Sequence, residues 1–412
     1  MITYQKKILK NGLTVLVNRD HSSKLAAVNI LYKVGSRNED PSRTGFAHLF
    51  EHLMFRGTKQ VASFDLPVQL ASGDNNAFTN NDYTDFYITL PKENIATALW
   101  LESDRMVGLE ITPEKLEAEK RVVIEEFRQR YLNQPYGDQM MLLRKMAYQV
   151  HPYRWATIGR SIDHIAAASL EEVQRFYHTH YHPSNAILSL SADLPEEEMI
   201  ALAEEWFGGI PSRDISTQPI PQEPLQTAPR HREVERDVPA TTVTLAFPMG
   251  GRTSAEFYLG DLVSDLLSGG DSARLYQHLV KEQHLLASVN AYITGDVDPG
   301  LFVFTGQLLP GVPPEQATEA FYAEIATLQS EPVGDYELEK VKNKFEANTL
   351  FGELNVMNKA MNLGFYEMIG DLELINRETA EYRAITKPQI QSFCQRIFCP
   401  ERSNTLIYKA KK

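Results

Sequence analysis

The sequence predicts an α+β protein of two homologous domains, each a largely antiparallel sheet packed with helices and related by internal duplication. Three observations predict it: segments repeated at an almost constant offset, strands that cluster in hairpins, and helices that come in groups rather than alternating singly with strands. "VNILYKVGSR" (28–37) pairs with "VTLAFPMGGR" (243–252) at an offset of 215, and "SLEEVQRFYHTHYHP" (169–183) pairs with "TKPQIQSFCQRIFCP" (386–400) at an offset of 217. Matches near opposite ends of each half, at nearly one offset, point to a copied domain. Between Pro211 and Pro239 the chain is rich in proline and polar residues and has no sustained period. The domains are therefore placed at residues 1–211 and 232–412, with a linker at 212–231.

Along the chain, "MITYQKKILKNGLTVLVNRD" reads as strand, turn, strand. In "TGFAHLFEHLMFRGT" (44–58), Phe46, Leu49, Phe50, Leu53 and Met54 have helical spacing, with Thr44 as the cap and Gly57 as the end. "NNAFTNNDYTDFYITLP" reads as a hairpin. "ITPEKLEAEKRVVIEEFRQR" (111–130) opens with Thr112 as N-cap, Pro113 at the first helical position and Glu114 in the first turn, which predicts a helix of several turns. Gly269 and Gly270 mark a turn, since no phosphate-loop sequence follows them.

A chain of 412 residues, 43% apolar and 23% charged, fits a two-domain enzyme or binding protein. Its net charge of -13 opposes a nucleic-acid partner. No window reaches the roughly 18 apolar residues of a membrane helix, and no secretory signal opens the sequence, so a cytoplasmic protein is expected. Cys394 and Cys399 are too few for a disulfide framework and are expected as buried thiols.

On the 44–58 helix His48 and His52 lie one turn apart on one side, and Glu51 projects close to them. Two imidazoles at that spacing suit one tetrahedral zinc, leaving room for a third protein ligand and a water whose pKa falls to about 7. An unbound carboxylate beside them can accept the water's proton and pass it to a leaving amine, a role that fits Glu51. For a single histidine, a hydrogen-bonded place in the core would be the better reading; here the joint pattern His-x-x-Glu-His weighs against it. The third ligand is sought on the helix from Thr112, where Leu116, Glu119, Val123 and Glu126 form a stripe that should otherwise be apolar. Inward carboxylates need a cation or donors. Glu126 is assigned as the ligand and Glu119 as the group that orients an imidazole, while Glu117 and Glu125 belong to a solvated face.

In these residues the chain resembles the pitrilysin and insulinase family of zinc peptidases, whose motif is His-x-x-Glu-His with a glutamate well downstream. The resemblance implies one Zn2+ per chain held by His48, His52 and Glu126, with Glu51 as base and Glu119 in support. "GDNNAFTNNDYTDFY" is similar to the family's Asn-Ala-x-Thr edge strand, which implies that Asn76, Ala77, Phe78 and Thr79 pair with the backbone of an extended peptide. Length, duplication and short linker resemble the branch of the mitochondrial processing peptidase and its small bacterial relatives, in which two chains meet as a clam shell around a chamber. One departure stands out: where the family's second domain has an arginine and, seven residues on, a tyrosine, this chain has Val280 and Ala287. That loss implies a heterodimer in which this chain is the catalytic subunit and a homologous partner supplies the pair.

The expected function is a zinc-dependent endopeptidase acting on unfolded peptides. The alternative is a non-catalytic scaffold subunit, disfavoured because all five functional positions are intact. His178, His180 and His182 in "HTHYHP" have strand spacing and would align three imidazoles, but their counterparts in the other half are Gln395, Ile397 and Cys399, so structural use is preferred.

Overall fold

The N-terminal hairpin opens a sheet of six strands: β1 (Gln5–Ile8), β2 (Thr14–Arg19), β3 (Leu25–Tyr32), β4 (Asp74–Thr79), β5 (Thr84–Pro91) and β6 (Ala186–Ala192), in the order β1-β2-β6-β3-β5-β4. The structure is a computed structural model that describes residues 1–213 and 219–411; residues 214–218 of the expected linker lie outside the described residues. Only β2 and β6 run parallel, and every other pair is antiparallel. The central strands are buried almost without interruption, which requires cover on both faces. Helices Ile95–Val107 and Glu196–Phe207 pack on this sheet, and so does Val356–Met368. The last meets a polar seam: Gly364 lies against buried Asn29 and Ser189, where a Cβ would come within 3.1 and 3.3 Å of their oxygens, and Lys359 pairs with Asp20 at 2.6 Å.

The second sheet has five strands, β7 (Arg230–Arg236), β8 (Thr242–Pro248), β9 (Leu286–Ile293), β10 (Leu301–Leu308) and β11 (Asn404–Ala410), in the order β7-β11-β8-β10-β9. This is the first sheet's order without β1, and again one pair, β7 with β11, is parallel. The duplication expected from sequence thus extends to strand order and direction. Helices Leu170–His180 and Lys387–Ile397 carry the second sequence repeat, and each starts with a capping box, Ser169 with Glu172 and Thr386 with Gln389.

Two compact units result, neither continuous in sequence. The first comprises Met1–Arg128, Trp155–Pro221 and Leu350–Arg377; the second comprises Gln129–Arg154, Gln222–Thr349 and Glu378–Lys412. A division at 211 and 232 keeps each sheet's strands together, apart from the first two residues of β7, yet two helical segments depart from it. Leu363 and Tyr366 pack with Leu16, Leu31 and Ile187 of the first unit, while Leu143 and Ala147 pack with Ala246, Val303 and Leu406 of the second. A helix belongs to the sheet whose apolar face it covers, whatever its place in the chain.

Of the two cysteines, Cys394 is fully buried as expected, whereas Cys399 is only partly covered. Among the described residues, no helix is long and apolar enough to cross a membrane.

Candidate metal centre

Helix α1 (Phe46–Leu53) buries one face completely: Leu49 and Phe50 are 0% exposed, and Phe50 stacks on Phe176 and Tyr181 at 5.3 and 5.2 Å. Its N-terminus differs from the sequence expectation. Gly45, with φ 92°, holds the cap position and offers no side chain, while Thr44 turns away so that its hydroxyl accepts the Arg160 N–H at 2.8 Å. The missing acceptors come from Glu39, a buried carboxylate that takes the N–H groups of Gly45 and Ala47 at 2.9 Å each. Burial pushes its pKa up to about 8, opposed by those donors and by Trp155. The helix also ends earlier than expected, at Leu53, and Gly57, with φ 86°, belongs to the turn beyond it.

Helix α2 (Pro113–Phe127) begins as its sequence predicts, with the Thr112 hydroxyl accepting the Lys115 N–H at 3.3 Å. Leu116, Glu119 and Val123 are buried, whereas the Glu117 and Glu125 side chains are 59% and 54% exposed. The stripe therefore turns carboxylates towards α1. Nε2 of His48 lies 3.6 Å, and Nε2 of His52 3.4 Å, from Oε2 of Glu126. On the other edge of the ring, Nδ1 of His52 lies 3.5 Å from Oε2 of Glu119, whose Oε1 contacts the Arg56 guanidinium. Burial favours a neutral His52, yet its hydrogen bonds to Glu119 and Glu126 and their charges prevail and raise its pKa to about 9. Glu119 is held below the usual carboxylate range by His52 and Arg56 in spite of its burial.

The donor set suits a small dication. Ligand atoms about 2.0–2.1 Å from a tetrahedral zinc lie about 3.3 Å apart, and the donor atoms of His48, His52 and Glu126 all fall within 4.8 Å of one another before any ion draws them in. Among the described residues this is the one group of histidine, cysteine and carboxylate side chains with that geometry.

Glu51 is partly exposed on α1. Its charge adds to the effects of burial, Asp85 and Asp74 in raising the Tyr87 phenol, and Tyr87 stands opposite Asn76 in the β4–β5 register. Strand β4, with Asn76, Ala77, Phe78 and Thr79, is the outermost strand of its sheet and packs against α1. The Ala77 N–H donates to Asn76 Oδ1 at 2.8 Å. In the second unit, Val280 packs on the core from the helix Tyr276–Glu282, and Ala287 is exposed on the edge strand β9.

"HTHYHP" is not a strand. His178 and His180 end the helix Leu170–His180, and His182 follows in a turn. The stripe of Val173, Tyr177 and His180 carries the helical period into the histidines, and buried His180 packs on Phe176 at 4.5 Å. Burial and His182 push its pKa down to about 4.

The family model described as insulinase (peptidase family M16) matches residues 14–160, and that described as peptidase M16 inactive domain matches residues 167–345. A curated relative, zinc protease PqqE of Helicobacter pylori, is 30% identical over 82% of this chain and 78% of its own length. The chain belongs to the M16, or insulinase, peptidase family. Within it, the uncharacterized zinc protease YmxG of Bacillus subtilis is 23% identical over 97% of this chain and 96% of its own. A solved protease from Helicobacter pylori superposes with a TM-score of 0.94 at 27% identity, covering 99% of this chain and 100% of that one. Both the pitrilysin/insulinase resemblance and the α+β architecture hold.

Two residues that contact this cluster or its helix were missed in the sequence. Glu39 precedes the helix it caps by a loop that carries no capping signature, and Arg56 reads as an ordinary surface arginine.

Proposed function

We propose that this M16 chain is a zinc-dependent endopeptidase that cleaves extended peptide segments. The observation that carries this reading is the convergence of His48, His52 and Glu126 from two helices, with Glu51 one residue before a ligand. Those three residues would hold the ion, and Glu119 would orient His52 through its Nδ1 edge. Zinc, when bound, supplies a Lewis acid that polarises a peptide carbonyl and activates water near neutral pH. Glu51 takes the proton of the attacking water and returns it to the leaving amine. The free edge at Asn76–Thr79 receives the substrate backbone as an added strand, so main-chain hydrogen bonds give affinity and the side chains give preference.

Val280 and Ala287 support a division of labour, in which a homologous chain supplies the arginine and tyrosine that this one lacks. Activity of the purified chain should rise on adding its nearest paralogue, and full activity of the chain alone removes the heterodimer.

The decisive test is Glu51→Gln. Zinc content and fold should be retained while peptide cleavage falls by about 10²–10⁴-fold, the range for a lost general base. Cleavage near the wild-type rate, or cleavage that survives a chelator, refutes the reading.

A further inference from the structure

We propose that Arg56 is a positioning residue of the metal centre, which fixes Glu119 and through it the edge that His52 turns towards Glu126. The inference rests on the zinc reading above. Glu119 has a side chain only 1% exposed, and its two oxygens have different partners: Oε2 faces Nδ1 of His52 at 3.5 Å, and Oε1 meets the guanidinium of Arg56. A carboxylate is planar, so holding one oxygen sets the direction of the other. An imidazole whose Nδ1–H is engaged by a carboxylate keeps its Nε2 lone pair for a metal, and Nε2 is the atom of His52 that faces Glu126, at 3.4 Å.

The placement of Arg56 fits this task better than a stabilising one. It lies in the turn just past α1, where its N–H donates to the Leu53 carbonyl at 3.0 Å, and its side chain is 50% exposed. Only the arginine end of the pair is solvated, and Glu119 keeps His52 as a second partner when Arg56 is removed. Its consequence lies instead in the partner it holds, a buried carboxylate that touches a proposed ligand. The chain of contacts Arg56, Glu119, His52 links the two helices at the base of the site.

The test is a double-mutant cycle read as zinc affinity, by competition with a chromophoric chelator, with thermal unfolding of the metal-free proteins as the control for fold. Arg56→Gln should weaken zinc binding about tenfold, the lower end for a group that orients a ligand, and metal-free unfolding reports separately the cost of leaving buried Glu119 with His52 alone. Arg56→Lys, which keeps the charge but not the fork, should fall between Gln and wild type. Glu119→Gln should weaken binding at least as much, and the double variant should be no weaker than Glu119→Gln alone, because Arg56 acts through Glu119. Zinc affinity of Arg56→Gln equal to or tighter than wild type overturns the proposal, and so do additive losses in the double variant. A wild-type chain that takes up no zinc overturns the parent reading as well, and that control tells the two failures apart.

Discussion

The two units carry corresponding helix pairs with opposite contents. In the first, α1 follows β3 and α2 lies two helices past β5; in the second, α3 (Ala255–Ser268) follows β8 and α4 (Asp335–Gly352) lies two helices past β10. Two imidazoles and two carboxylates converge between α1 and α2. Between α3 and α4 the carboxylate of Asp265 meets the ammonium of Lys344 at 2.8 Å, and Asp261 of α3 accepts the hydroxyl of Tyr382, from the helix Leu374–Ala384, at 2.7 Å. Burial raises the Asp261 pKa. A buried carboxylate needs a partner. The second unit finds it among its own side chains, whereas the first gathers the histidines and carboxylates that the proposed zinc would bridge. The fold brings two helices together, and a handful of residues decides whether the meeting point is a lattice of protein contacts or the donor set of the proposed metal centre.

The largest effect is expected from erasing that difference. Glu126→Gln should reduce zinc affinity by more than the roughly 10–100-fold typical of groups behind the ligands, measured by chelator competition, with cleavage lost in parallel. If zinc binding survives unchanged, the two helix pairs differ in composition but not in function.

A second comparison sets His180, the last residue of its helix, against Ile397, the last residue of the matching helix. Folded His180 titrates at about 4, while an unfolded histidine does so near 6.5. Between these values the unfolded chain binds more protons, so stability from this site is complete above about pH 6.5 and is lost as pH falls towards 4. The loss approaches about 3 kcal/mol at pH 4. His180→Ile, which copies the other unit, should flatten this slope in denaturant titrations at pH 7 and pH 4.5. An unchanged slope means that other groups govern acid stability.

The smallest effect belongs to Lys344→Met. This partly exposed pair should contribute less than about 1 kcal/mol, and zinc uptake and cleavage should stay at wild-type values. A loss of zinc would tie the second unit to the metal centre in a way the comparison does not include.

The sequence made the donor set legible because its signal is periodic. His48, Glu51 and His52 sit on an apolar helical pattern, and Glu119 and Glu126 interrupt another, so their inward direction follows from spacing alone. Repetition made the two sheets legible in the same way. What escaped depends on contacts without local periodicity. The cap of α1 comes from Glu39 rather than Thr44, since a backbone N–H accepts any well-placed carboxylate. Alternating histidines in "HTHYHP" mimic a strand, but a helix begun by the Ser169 capping box runs into them. Arg56 looks solvated until Glu119 is seen beside it. The reassignment of two helices to non-contiguous units follows from which sheet face they bury, and chain order carries no mark of it.

That reassignment also bears on the order of events during synthesis. The first sheet has all its strands once residue 192 has emerged, yet Leu363, Tyr366 and their neighbours, which cover one of its faces, are made far later. Vectorial completion of the first unit is therefore ruled out: a nascent chain must hold an uncovered apolar surface until most of its length has left the ribosome. Such a chain gains little from folding its N-terminal part early, and the bare sheet face is a place for aggregation during the interval.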